Sequence, residues 1–192
     1  MNIQLIGVIL IVAVGPATTR HTPAPPSSAT ALVSRLYMEV VARHPLGVPY
    51  GEDAKVFDPF VSKTLLHRFE LNTACDIDWH RRNPDPDLKP PTGMIEDDVF
   101  SGPDDRSEPT AFHIERTETW KGGSSRVYVR LTSTDPGTEP MTWYVAAVVV
   151  PESGRLVVDD VLYLKDKKGS VDYRLSRRLS SWCRGGHWIG RP

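Results

Sequence analysis

The hydrophobic pattern of the second half of the chain is the strongest constraint on its fold, because four consecutive segments have the spacing of β-strands. Residues 111–119 and 126–133 alternate apolar and polar side chains, and 155–164 is a further apolar segment of strand length. Residues 142–150 (TWYVAAVVV) are apolar on both faces, which is typical of a central strand. Turns that contain glycine or proline separate these segments, so the pattern predicts a four-stranded antiparallel meander.

The first half of the chain has helical spacing instead. Ser28 is a favourable N-cap, and the apolar residues after it recur at helical spacing as far as Arg43. A second helix is predicted from Ser62 to about Trp79. Helices followed by an antiparallel sheet predict an α+β fold, in which the helices pack on one face of a curved sheet and leave a cone-shaped cavity between the two layers.

Two further segments complete the predicted fold. Residues 83–109 are rich in proline and acidic side chains and are predicted to be irregular. A C-terminal helix is predicted from Ser170, and its buried stripe would consist of Val171, Leu175, Leu179 and Trp182.

The N-terminus predicts export from the cytoplasm. Residues 3–14 form an apolar run that is shorter than the ~20 residues a membrane-spanning helix needs. Gly15 and Ala17 supply the small residues that a signal peptidase recognises. We therefore expect a signal peptide over residues 1–17, a Pro/Ser/Thr linker over 18–28 and a single extracytoplasmic domain over 29–192, without stable membrane insertion after cleavage. The alternatives are an uncleaved membrane anchor and a buried core segment.

Cys75 and Cys183 are the only two cysteines of the chain. In an exported protein such a pair most simply forms a disulfide, and the alternative is two free thiols. Neither cysteine belongs to a CxxC motif, and no HxxxH spacing accompanies them, so no metal site is expected there.

The charge of the chain gives no reason to expect nucleic acid as a partner, because 23 basic residues nearly balance 24 acidic ones. The charges are nevertheless segregated, with an acidic segment at 96–108 and a basic segment at 165–191. Either these segments form a partner surface or they neutralise each other in the fold. The sequence has no glycine-rich dinucleotide or P-loop motif, so no cofactor is expected.

The pair Asp159–Asp160 is the strongest candidate for chemistry. Neighbouring strand residues point to opposite faces, and Asp160 would share the helix-covered face with Leu156, Val158 and Leu162. Desolvation there would raise its pKa and poise it as a general base. The alternatives are a structural carboxylate that accepts hydrogen bonds from an arginine or from backbone N–H groups, and a ligand anchor.

A second acidic motif, Asp76-x-Asp78-x-His80, has oxygen and imidazole ligands that suit a divalent cation. It falls at the end of the second predicted helix, where residues two apart point in different directions. A solvated helix end is therefore predicted, and no metal.

The order of the elements and two motifs, residues 91–102 (PTGMIEDDVFSG) and 154–163 (GRLVVDDVLY), resemble nuclear-transport-factor-2-like (cystatin-like α+β) domains. In particular they resemble the exported bacterial family catalogued as domain of unknown function 3828, over roughly residues 29–179. The resemblance implies a cone-shaped fold with a pocket at its open end. This family has no established activity, and the fold carries both enzymes and binding modules, so the resemblance selects no function.

The first functional hypothesis is a non-catalytic extracytoplasmic binding module that holds a small molecule or a partner segment in the cone mouth. Tyr144, Asp160 and Tyr163 are the expected wall residues. The segregated charges favour an alternative, an immunity- or inhibitor-type protein that binds a secreted enzyme. A further alternative is a small dehydratase, isomerase or hydrolase that uses Asp160.

Overall fold

The computed structural model describes most of the domain that the sequence predicts. The described residues are 28–85, 87–88, 98–102, 108–134 and 139–190. The predicted signal peptide, nearly all of the predicted linker and most of the acidic segment lie outside them.

Both predicted N-terminal helices are confirmed. Helix α1 spans Ala29–Arg43, and the Oγ of its N-cap Ser28 accepts a hydrogen bond from the backbone N–H three residues later. A short helix that was not predicted, α2 (Gly51–Phe57), runs into a 3-10 turn. Helix α3 spans Lys63–Arg82, and its N-cap Ser62 accepts a hydrogen bond in the same way. Two serine caps therefore set where the long helices begin, as the sequence indicated.

The second half forms an antiparallel sheet in which each strand pairs with the next one along the chain. Its strands are β1 (Ala111–Thr119), β2 (Ser125–Ser133), β3 (Met141–Glu152), β4 (Arg155–Leu164) and β5 (Val171–Arg174). The strand that was expected to be central, β3, is the middle one of the five. The predicted meander is confirmed and is extended by one strand.

The predicted C-terminal helix is wrong over most of its length. Its first residues form β5 on the edge of β4, and only Leu175–Arg178 form one helical turn, α4. Val171 and Trp182, the two ends of the expected stripe, are 41% and 42% exposed, whereas Leu179 is buried. A helix of three or four turns here would be marginal by itself, and the open edge of β4 offers backbone hydrogen bonds to a strand instead.

The helices cover one face of the sheet and form the main core with it. This face carries the apolar residues of β2 that the alternation predicts, Val127, Val129 and Leu131. Helix α1 contributes five buried side chains to the same core: Leu32, Val33, Leu36, Tyr37 and Val40. The opposite face carries a smaller cluster built on Tyr128, Ala146 and Leu162.

Residues 98–102, which we call the core segment, enter the main core between the helices and the sheet. Val99 and Phe100 are fully buried. Three successive backbone carbonyls of this segment each accept a hydrogen bond from a different buried aromatic side chain: Val99 from Tyr163 at 2.8 Å, Phe100 from Tyr37 at 2.8 Å and Ser101 from Trp143 at 2.7 Å. Irregular chain is thereby accommodated in the core without unpaired carbonyls at these positions.

The ring of Phe100 completes this packing. It stacks on Phe57 with a centroid distance of 5.1 Å and lies edge-on to Phe69 at 6.4 Å. Burial raises the pKa of the Tyr37 and Tyr163 hydroxyls, so both stay protonated and donate to the core segment. Tyr163, which was expected to line a pocket, therefore donates its hydroxyl to the core segment instead.

Replacing Phe100 by alanine should lower the free energy of unfolding by about 3–5 kcal/mol, because a fully buried ring is lost from a packed core. Urea denaturation of the oxidised protein measures this change. Tyr50→Ala is the matched control, since Tyr50 is 77% exposed and its removal should change stability by less than about 0.5 kcal/mol. Equal effects of the two substitutions would contradict the role given to the core segment.

Candidate functional site

The structure does not bring the expected pocket walls Tyr144 and Tyr163 to one cavity. Tyr163 pairs with Val145, and both side chains belong to the main core. Tyr144 precedes Val145 in the strand and therefore points to the opposite face, where its partner Leu164 packs against the smaller cluster. The two tyrosines are separated by the thickness of the sheet.

Asp160 is buried, as expected, but not on the helix-covered face. A β-bulge interrupts the alternation of β4. Val148 lies opposite Asp160 and Val149 lies opposite Val158, so β4 has one extra residue between these two pairs. Val158 consequently packs in the main core, whereas Leu162 packs in the cluster on the other face together with Val148. The expectation that Asp160 shares one helix-covered face with both residues fails because of this extra residue.

The carboxylate of Asp160 is fixed from several directions. It accepts hydrogen bonds from the Nε of Arg174 at 3.0 Å, from the backbone N–H of Val161 at 3.0 Å and from both the N–H and the Oγ of Ser176 at 2.9 and 2.8 Å. These contacts hold the start of α4 on the edge of β4. The arrangement matches the structural alternative considered for this residue, a carboxylate that accepts bonds from an arginine and from backbone N–H groups.

Asp160→Asn should lower the free energy of unfolding by about 1–3 kcal/mol, because an amide NH₂ would face buried donors that now have an acceptor. Asp172→Asn is the control, because Asp172 forms only an exposed pair with Lys165 at 3.4 Å. Chemical denaturation of both variants measures the difference. A fully stable Asp160→Asn protein would show that this carboxylate is not needed for the fold.

The motif Asp76-x-Asp78-x-His80 lies on α3, and its residues separate as the helix geometry requires. Asp76 and His80 form an exposed pair with 3.3 Å between carboxylate and imidazole. Asp78 points the other way and is only 5% exposed, so it is not the solvated helix residue that was expected. Among the described residues no three potential ligands are placed to hold a metal ion.

The predicted disulfide is present, and it joins α3 to the end of the chain. Cys75 is fully buried, and its Cα lies 5.9 Å from that of Cys183. Cys183 belongs to a two-stranded hairpin of β6 (Cys183–Arg184) and β7 (His187–Trp188). We call this element the C-terminal hairpin.

Non-covalent contacts add to the disulfide in holding the C-terminal hairpin on α3. Asp78 accepts a hydrogen bond from the backbone N–H of Trp188 at 3.0 Å, and Arg82 donates to the Trp188 carbonyl at 3.4 Å. The hairpin turn contains Gly186, whose φ is +79°, and a Cβ there would lie 3.1 Å from the Cβ of Ala74. This role of Asp78 was missed, although it follows Cys75 by one helical turn and so shares its face.

The pKa of Asp78 is lowered from its ordinary value. Burial raises this pKa, but the N–H of Trp188 and the adjacent guanidinium groups of Arg81 and Arg82 outweigh burial. The ionised carboxylate is therefore the form that binds the hairpin.

Because the folded pKa of Asp78 lies below the ordinary aspartate value of about 3.9, its stabilising contribution is present above that pH and is lost as pH falls through the folded pKa. The stability difference between wild type and Asp78→Asn should thus be largest at neutral pH and shrink below about pH 4. Urea titrations from pH 7 to pH 3 measure it. Asp76→Asn, which leaves the hairpin contacts in place, is the control; a difference that stays constant over this range would contradict the assignment.

The basic segment near the C-terminus is partly neutralised by acids of the sheet. Arg174 pairs with Asp160, and Lys165 pairs with Asp172. In the acidic segment, the carboxylate of Glu108 lies 3.6 Å from the imidazole of His44.

An open groove lies between the first half of α3 and the chain from α4 to the C-terminal hairpin, with a volume of about 490 Å³. On the α3 side it is lined by Lys63, Thr64, His67, Arg68 and Leu71, and on the other side by Leu179, Ser180, Cys183, Gly185 and Gly186. A volume of this size lies within the ~300–1,000 Å³ of typical small-molecule sites. We take it as the candidate site. Its position depends on tertiary contacts that no local sequence motif signals.

The groove has a cationic end and an apolar end. Arg68 donates to the carbonyl of Ser176 at 3.2 Å, and in the described part of the chain neither it nor Lys63 forms a side-chain ion pair. Leu71, Leu179 and half-buried Cys183 give the other end its apolar surface. Such a surface can bind and orient a ligand.

Comparison with protein-family models, with curated proteins and with solved structures finds no match to this chain. In the part of the chain that the structure describes, no helix combines the length and the apolar character needed to cross a bilayer. The structure establishes an α+β fold with a cross-linked C-terminal hairpin and an open groove beside it.

Proposed function

We propose that this protein is an extracytoplasmic binding module of nuclear-transport-factor-2-like α+β fold, and that it binds a small molecule in the groove between α3 and the C-terminal hairpin. The groove, rather than the cone interior, is the site we propose. The observation that carries this proposal is an open cavity of about 490 Å³ whose two walls are joined by a disulfide.

The cross-link supports a preformed site. The disulfide connects residues 108 positions apart, for which the chain-entropy model gives a stabilisation of roughly 4–5 kcal/mol. Since one wall belongs to α3 and the other is tied to it, little ordering remains to be done when a ligand binds, and the cost of ordering a site is one of the main terms that oppose affinity.

Two observations favour an extracytoplasmic location. A disulfide is compatible with an oxidising compartment, and the apolar run at residues 3–14 has the length of the core of a signal peptide.

Two further observations favour the groove over the expected cone pocket and over catalysis by Asp160. Tyr163 donates its hydroxyl to the core segment, and both oxygens of Asp160 accept hydrogen bonds from the protein itself.

A thermal-shift and native mass-spectrometry screen of extracytoplasmic metabolites should yield a ligand that stabilises the oxidised protein. Thr64→Trp should abolish its binding, because Thr64 is an exposed lining residue and an indole there would fill the groove. Thr30→Trp is the matched control on α1. A ligand that binds equally well to the wild type and to Thr64→Trp would place the site elsewhere and refute the proposal.

A second candidate function, binding of a secreted enzyme by an inhibitor- or immunity-type protein, is favoured by one surface feature. Trp182 and Ile189 are 42% and 52% exposed and lie side by side, with the Ile189 N–H bonded to the Trp182 carbonyl at 3.0 Å. Exposed tryptophan is enriched among the residues that dominate protein interfaces. Co-purification from the native compartment distinguishes this function from small-molecule binding.

A further inference from the structure

We infer that the groove selects amphipathic anions, small molecules with one anionic head group and an apolar body. This inference rests on the proposed function and names its ligand class. The head group would lie at the Lys63 and Arg68 end of α3, and the apolar body would extend toward Leu71 and the disulfide.

The order of the lining residues along α3 gives the groove its polarity. Lys63 and Thr64 lie in the first turn, His67 and Arg68 in the next, and Leu71 in the turn after that. At 1.5 Å of rise per residue, the distance along the helix from Lys63 to Leu71 is about 12 Å. A ligand that spans this distance therefore contacts charge at one end and apolar surface at the other.

The cationic end has positive charge available for a ligand. Arg68 uses one guanidinium nitrogen for the Ser176 carbonyl, and the guanidinium group has five N–H donors in all. Two carboxylates contact lining residues of this end: Glu152 accepts from the backbone N–H of Lys63 at 3.1 Å, and Glu70 lies 3.2 Å from the imidazole of His67. Neither carboxylate lines the groove. A guanidinium held in this way suits a carboxylate or a sulfonate.

The residues at the apolar end of the groove are held by packing. Leu179 is 3% exposed, and Gly186 packs on the side chains of Leu71 and Ala74. At Gly185, by contrast, an added Cβ would meet no atom within 4 Å, so the space above the turn is open. The disulfide keeps Cys183 at this end of the groove.

The same geometry favours a small molecule over an extended peptide. Peptides that bind as an added strand need a free sheet edge. The strands of the C-terminal hairpin contain only two residues each, Cys183–Arg184 and His187–Trp188. A site with cations at one end and apolar side chains at the other is more readily filled by a molecule with an anionic head group and an apolar body.

Isothermal titration of the oxidised full chain with three ten-carbon probes tests this inference. The probes, used below their micellar concentrations, are decanoate, decanol and decyltrimethylammonium, which share the chain but differ in head-group charge. We expect saturable one-to-one binding of decanoate and at least about tenfold weaker binding of decyltrimethylammonium, since a like charge at Lys63 and Arg68 opposes binding.

Charge variants test the position of the head group. Lys63→Gln should weaken decanoate binding about two- to fivefold, as for a partly exposed ion pair, and Lys63→Gln with Arg68→Gln should weaken it about tenfold or more. Decanol, which has no charge, should lose much less affinity than decanoate in both variants. Lys55→Gln, an exposed lysine of α2 whose partner is Glu52, is the matched control and should not change decanoate binding. Near-ultraviolet circular dichroism verifies that each variant is folded.

The outcomes separate this inference from the proposed function. Equal binding of decanoate and decyltrimethylammonium, or an unchanged decanoate affinity in the double variant, overturns the anion preference. If decanoate does not bind, but a screened ligand is lost in Thr64→Trp, the proposed function stands and the ligand class is wrong. If decanoate binds equally well to Thr64→Trp and to the wild type, the groove is not the site and both proposals fail.

Discussion

The hydrogen bonds that hold residues 99–101 inside the core are the constraint on which the rest of this fold depends. Irregular backbone can be buried only where its polar groups find partners, and here Tyr37, Trp143 and Tyr163 supply a donor to each of three successive carbonyls. These donors come from α1, β3 and β4. A single short segment therefore ties the helical layer to the sheet.

The elements that could be predicted from the sequence are those whose own residues indicate their conformation. The alternation of β2 and the two-faced apolar character of β3 are local properties, so their strand conformation and the central position of β3 were predictable. Val171–Arg174 has the spacing of a helix and becomes a strand only because the edge of β4 is beside it. The bulge opposite Val148 likewise has no signature in the sequence, and it decides the face on which Asp160 lies.

The candidate site was harder to predict than the fold, because its residues are distant in sequence and unremarkable in type. The disulfide could be predicted from the cysteine pair and the predicted export, but its position beside a groove could not. Asp78 was assigned to solvent, and it instead binds the backbone of Trp188, 110 residues away. In this protein the proposed binding surface is formed where the end of the chain returns to α3.

The position of the disulfide has a consequence for how the molecule responds to proteases. All five strands of the main sheet lie between Cys75 and Cys183, so the covalent bond closes the sheet into a ring of polypeptide. A single cut in any turn between the strands opens this ring but leaves both pieces attached through sulfur. The nicked molecule has the same mass as before apart from one added water, and it separates into fragments only after reduction.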